Sequence, residues 1–120
     1  MYKIVFYQDP NGNQPALDFI MALSQKDDKN SRINLNKIND YIEMLKVHGT
    51  IIGEPYVKHL EDKLWELRPL SNRFIFVAWV DGTFVFLHHF IKKSRKTPKR
   101  EIDQAKRELS ILMGRGESDE

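Results

Sequence analysis

The sequence predicts an α+β domain: an antiparallel sheet of about four strands, packed by two N-terminal helices and followed by a C-terminal helix, in the order βααβββα. Three observations predict it. A chain of 120 residues, 41% of them hydrophobic, suits one domain with one core. Two runs dense in Phe, Ile, Val and Trp, Arg73 to Val80 and Thr83 to Phe90, are joined by Asp81-Gly82, and such a pair suits a tight hairpin whose central residues need positive φ. Apolar residues recur at helical spacing in two segments before these runs and one after them.

Each element has its own signal. Tyr2 to Tyr7 is rich in β-branched and aromatic residues and stops at Asp9-Pro10-Asn11-Gly12, a strand and then a turn. Pro15 opens a helix carrying Leu17, Ile20 and Met21. A second helix runs from about Ser31 to Val47 with Ile33, Leu35, Ile38, Tyr41, Ile42 and Leu45 as its stripe, and Gly49 lies just beyond its end. Residues 50–62, with Gly53 and Pro55, read as a loop anchored by Tyr56, Val57 and Leu60. Leu64 to Arg68 is a short strand stopped by Pro69. The last helix spans about Pro98 to Met113, with Ile102, Ala105, Leu109 and Leu112 on its apolar face and Thr97 placed to cap it. Residues 114–120 read as a flexible acidic tail, and the whole chain, 1–120, as a single domain.

Composition removes several classes of function. With no cysteine there is no disulfide scaffold, thiolate metal site or Cys nucleophile, which is compatible with a cytoplasmic protein. The N-terminal apolar run is too short for a signal peptide or membrane span, so no membrane association is expected. The net charge is only +2, yet Lys92, Lys93, Arg95, Lys96, Lys99 and Arg100 crowd a nine-residue stretch without an acid. A local basic cluster on a nearly neutral chain suits a polyanion site of limited size.

Register brings this cluster to two arginines. A two-residue turn at Asp81-Gly82 pairs Val80 with Thr83, Ile75 with His88 and Arg73 with Phe90. Alternation then puts Arg73, Ile75, Val77, Trp79, Phe84, Phe86, His88 and Phe90 on one face, and Phe74, Phe76, Ala78, Val85, Leu87 and His89 on the other. A four-residue connection over 69–72 pairs Glu66 with Ile75 and Arg68 with Arg73. Arg68, Arg73, Glu66, His88 and Phe90 thus share one end of one face, where the chain runs on into Lys92 and Lys93.

Such a patch suits single-stranded RNA. Guanidinium forks and ammonium groups take phosphates, and an aromatic ring takes a splayed base. Fixed cations also stabilise the charge that builds on phosphorus when a ribose 2′-hydroxyl attacks its own 3′-phosphate. On this reading Arg73, Arg68, Lys92, Lys93, His88 and Glu66 are the catalytic candidates, with Glu66 alternatively an ion-pair partner of the arginines. Phe90, Arg95, Lys96 and Lys99 are the RNA-binding candidates. No metal and no cofactor is expected. The adjacent His88 and His89 point to opposite faces of a strand and cannot chelate one ion together.

The stretch from about Val57 to Leu109 resembles the HigB-like branch of the RelE/ParE toxin superfamily. LWELR at Leu64 to Arg68, Arg73 at the next strand start, and HHFIKKSRKTPKREIDQA from His88 to Ala105 carry the likeness. The resemblance implies a type II toxin that enters the ribosomal A site and cuts messenger RNA by metal-independent 2′-hydroxyl attack. It assigns the basic catalytic positions to Arg68, Arg73, Lys92 and Lys93. It also implies a HigA-like antitoxin with a helix-turn-helix domain, so that operator DNA is met only through that partner. Two lysines of RelE fall at Leu64 and Glu66 here, and its late tyrosine falls near Lys99. The general acid and base are therefore left among His88, Glu66 and the lysines. The alternative is a non-enzymatic toxin of the ParE kind, which inhibits DNA gyrase by protein contact.

Overall fold

The computed structural model describes residues 1–116. A mixed five-stranded sheet, ordered β1-β5-β4-β3-β2, carries helices on both faces. Its strands are β1 (Lys3–Phe6), β2 (Val57–Glu61), β3 (Leu64–Leu67), β4 (Asn72–Ala78) and β5 (Thr83–Ile91). Its helices are α1 (Pro15–Ser24), α2 (Lys29–His48) and α3 (Lys99–Gly116). This is the expected α+β class, with two corrections to the sheet. There is a fifth strand, β2, where a loop was expected. The sheet is also not wholly antiparallel, because β1 runs parallel to β5.

The central strands are buried on both sides, and each side has its own cover. Phe74, Phe76, Phe84 and Phe86 lie against Ala16, Leu23, Ile38 and Leu45 of α1 and α2. Ile75, Val77, Val85, Leu87 and Leu64 lie against Ala105, Ile102, Leu109 and Leu112 of α3. Burying side chains of this kind stabilises by roughly 1.5–3 kcal/mol each, which is why a hairpin apolar on both faces requires cover on both. The inward stripe of α1 is Ala16, Phe19, Ile20 and Leu23, about one residue round from the expected one, and Met21 is half exposed. Asp28 starts α2 by accepting from the backbone N–H of Ser31, and this bond holds the carboxyl below its ordinary pKa.

The β4–β5 hairpin departs from the expected register in an instructive way. Asp81 and Gly82 both take positive φ, as predicted, but the loop also includes Val80, and the N–H of Trp79 donates to the carbonyl of Thr83 at 2.7 Å. The extra loop residue shifts the tip by one, so Phe84 faces Ala78 and Phe86 faces Phe76. Phe84 and Phe86 accordingly join the other phenylalanines under α1 and α2, and Val85 and Leu87 turn towards α3. A bulge at Leu87 then restores the predicted pairs Ile75–His88, Phe74–His89 and Arg73–Phe90. The β3–β4 register is the predicted one, Glu66 opposite Ile75.

Helix α3 continues through Gly116, so 114–116 are helical rather than the start of a tail. The remainder of that expectation, residues 117–120, lies outside the described residues. Among the described residues no helix is long and apolar enough to cross a membrane.

Candidate functional site

Three cross-strand relations build the site. Glu66 is paired with Ile75, which is paired with His88, and Arg73 is paired with Phe90. All these side chains lie on the α3 side of the sheet. Helix α3 packs mainly on β5 and β4, and reaches the turn between β2 and β3, where Leu64 joins its apolar face and Lys106 lies 3.2 Å from Glu61.

Glu66 sits at the centre with 0% exposure. Its Oε1 lies 3.4 Å from Arg68 Nε and 3.8 Å from Arg73 Nε, and its Oε2 accepts the Thr97 hydroxyl at 2.8 Å. Oε1 and Arg68 Nε are both buried and neither forms a hydrogen bond, so their contact is charge on charge without directional bonding. Arg68 also lies 4.0 Å from the exposed Glu54. Arg73, with a side chain only 7% exposed, donates through Nη1 to the carbonyls of Leu70 and Asn72, each at 2.8 Å. Among the described residues its Nη2 makes no hydrogen bond, so the fork is held through Nη1. Burial, then the nearby Arg68 charge, lower its pKa, and Glu66 opposes them. Two guanidinium groups share the buried carboxylate of Glu66, and Arg68 has the exposed Glu54 as a second, more distant partner.

The basic segment reaches this cluster through Thr97. The N–H of Lys92 donates to the Ser71 carbonyl at 2.8 Å, which extends the β4–β5 ladder past its last pair. Beyond it a groove of about 730 Å³ is lined by Lys93, Lys96, Thr97, Arg100 and Lys106 among others. Lys92, Lys93, Arg95 and Lys96 are exposed, and among the described residues their ammonium and guanidinium groups have no acidic partner. Lys99 lines the same groove but is paired with Asp103 at 3.1 Å, and Arg100 lies 3.6 Å from Glu101. Arg95 does not line the groove. Thr97 does not cap α3 as expected, because the helix starts one residue later, at Lys99; its hydroxyl is donated to Glu66 instead.

The remaining candidates are placed differently from the expectation. His88 Nε2 is 2.6 Å from Glu101 Oε1, and Nδ1 is 4.0 Å from Glu108 Oε1, so the imidazole ties β5 to α3 and not to the arginines. Phe90, expected as an exposed platform, is half-buried in the α3-side core with its ring 5.9 Å from His88. His89 faces the opposite side, as alternation requires, and stacks on Phe19 at 3.6 Å. The amide nitrogen of Asn72 donates to Asn34 Oδ1, which leaves Asn72 Oδ1 to accept from His89 Nε2 at 3.1 Å. Burial, helped by the nearby His88, pushes His89 down to about 4, so it is neutral at physiological pH.

One candidate escaped the sequence. Lys58 of β2 lies directly opposite Glu66 in the β2–β3 pair. Directly opposed residues share a sheet face. Lys58 is exposed and has no acidic partner among the described residues, so it adds an ammonium group beside the arginines. The strand that carries it is short and polar, and Asp62 at φ 51 makes its turn into β3 in place of the glycine that would have marked a hairpin.

A family profile described as phage derived protein Gp49-like (DUF891) matches residues 18–110. The chain belongs to that family. It is a toxin-like family related to the RelE/ParE-type toxins, and membership implies an antitoxin as partner. The Gp49-like region runs from within α1 through the first two thirds of α3 and includes Glu66, Arg68, Arg73, His88 and the basic segment. No curated protein matches the chain.

Proposed function

We propose that this Gp49-like protein is the toxin of a type II toxin–antitoxin pair and acts as a ribosome-dependent, HigB-like messenger RNA endoribonuclease. The observation that carries the reading is the pair of arginines around Glu66, tied through Thr97 to a segment of exposed lysines that have no acidic partner among the described residues. An ion-pair network serving only stability would have its cations matched by acids. Here Lys92, Lys93, Arg95 and Lys96 are unmatched among the described residues, and Lys93 and Lys96 line the groove.

In this reading the scissile phosphate is held by Arg73 and Arg68, and Lys92, Lys93 and Lys58 grip its non-bridging oxygens and those of its neighbours. Attack by the 2′-hydroxyl forms the new phosphorus–oxygen bond and expels the 5′-oxygen, leaving a cyclic phosphate. The fixed cations bind the developing charge more strongly than the ground state, and one such contact is worth roughly 100- to 1000-fold in rate. The mechanism requires no metal. With Glu66 buried and His88 held by Glu101, this reading has a lysine ammonium of the groove protonate the departing 5′-oxygen, while the 2′-hydroxyl proton passes to water. The ribosome supplies the in-line geometry that a shallow, open site lacks. A HigA-like antitoxin with a helix-turn-helix domain silences the enzyme in the cytoplasm and carries the complex to operator DNA.

Mapping messenger ends after induction tests this. Cuts within translated codons, lost when initiation is blocked, are the expected result. Intact messengers with arrested replication would replace the reading with the ParE-like one, inhibition of DNA gyrase by protein contact.

A further inference from the structure

Glu66 and Thr97 lie 31 residues apart, and their hydrogen bond is the direct side-chain link between the arginine pair and the basic groove. We propose that this bond is a latch: Glu66 and Thr97 are positioning residues that hold segment 92–98 against the sheet, so that lysines and arginines act on one polynucleotide strand. The inference rests on the nucleic-acid reading above, and it assigns Glu66 a role other than general base.

Burial and geometry support this role. Glu66 is a fully buried carboxylate with two guanidinium groups within 4 Å of Oε1, so its oxygens are already divided between two tasks. Oε1 faces the arginines of β3 and β4. Oε2 holds the hydroxyl of a residue that lines the groove with Lys93 and Lys96. Around Thr97 the segment has few other ties. Ser94 donates within the segment, to the carbonyl of Lys96 at 2.9 Å, and the Lys92 backbone bond to Ser71 anchors only its first residue. The side chains of residues 92–96 are exposed and make no ion pair among the described residues. Without the Thr97 bond, the four cations of 92–96 would hang between the end of β5 and the start of α3.

A hydrogen bond to a charged acceptor is among the stronger kinds, and losing it leaves a buried carboxylate oxygen unsatisfied. Substituting Thr97 by Val keeps the shape and removes the donor. Substituting it by Ser keeps the donor and removes a methyl group.

The test compares Thr97→Val, Thr97→Ser and Glu66→Gln with the unaltered protein in two measurements. The first is limited tryptic cleavage after the lysines and arginine of 92–96, which involves no RNA. We expect roughly tenfold or greater acceleration there in Thr97→Val, a near-original rate in Thr97→Ser, and unchanged cleavage elsewhere in the chain. The second is binding of a short fluorescent RNA whose 2′-O-methyl groups prevent cleavage, followed against salt. Thr97→Val is expected to bind about tenfold more weakly, with a salt slope shallower by about one phosphate contact, and Thr97→Ser is expected to restore both. General loss of stability would lower the active fraction without changing that slope. The original tryptic rate in Thr97→Val overturns the latch, and so does a Thr97→Ser variant as loose as Thr97→Val. Absence of RNA binding by the unaltered protein overturns the nucleic-acid reading, while the tryptic measurement still decides whether the latch exists. If Glu66→Gln fails to fold, the threonine pair decides alone.

Discussion

Arg73 has two roles that pull substitutions in different directions. Its Nη1 satisfies two loop carbonyls, and its charge lies beside Glu66 and Arg68. Arg73→Ala should abolish growth arrest on expression and also cost roughly 1–3 kcal/mol, because the carbonyls of Leu70 and Asn72 lose their donor. Arg73→Lys keeps a charge but loses the planar fork, and should still lower cleavage by roughly 100-fold. Growth curves and urea unfolding measure the two effects separately, and undiminished arrest by Arg73→Ala would refute the site. Much at this scale was legible in the sequence. Arg68, Arg73 and Glu66 were brought together by counting register through a short connection, and they do meet. His88 and Phe90 were placed on the correct face, but counting along strands could not show that α3 brings Glu101 and Glu108 down onto His88. Those acids come from a helix whose docking rotation depends on packing.

The elements show where pattern stops being informative. The hairpin was readable because Asp-Gly marks its turn, yet the loop took one more residue and the bulge at Leu87 compensated. Segregating four phenylalanines to the α1–α2 side and four aliphatic residues to the α3 side is a tertiary preference, invisible to alternation alone. Strand β2 was unreadable for the opposite reason, since its side chains are mostly polar and its partner strand decides it. The end of α2 shows a constraint that sequence and structure share. Gly49 has φ +69, and a Cβ there would lie 2.8 Å from the ring of Tyr2. Tyr2 also donates its backbone N–H to the Lys46 carbonyl, so the joint fastens α2 to the start of β1. Gly49→Ala should therefore lower stability by roughly 1–2 kcal/mol or more, through both backbone strain and the clash. Thermal unfolding of the purified variant checks this, and an unchanged midpoint would show that Tyr2 gives way freely.

At the scale of the whole molecule, two buried groups shape the response to pH. Burial pushes Glu108 from 4.5 up to about 7. The folded chain thus holds a proton that the unfolded chain has lost, and stability falls as pH rises from about 4.5 through 7. The gap is worth ~3 kcal/mol. His89 works in the other direction. Its depression from 6.5 to about 4 makes stability fall as pH drops through that window. Between about 4.5 and 6.5 the two slopes oppose each other, and above 6.5 only Glu108 still acts. Glu108→Gln should raise the unfolding midpoint at pH 8 and leave it nearly unchanged at pH 4. Calorimetry at both values measures this, and equal shifts at both would remove Glu108 as the cause.

The parallel pairing of β1 with β5 has a consequence during synthesis. Lys3 pairs with Thr83, so the first strand leaves the ribosome long before its neighbour exists. At roughly 5–20 residues per second, the intervening 80 residues take about 4–16 s, against microseconds for a local hairpin. In that interval α1 and α2 can pair with each other, but the arginines have no carboxylate pocket and the basic segment has not been made. The cluster around Glu66 and the basic groove therefore cannot be assembled until the last third of the chain has been made.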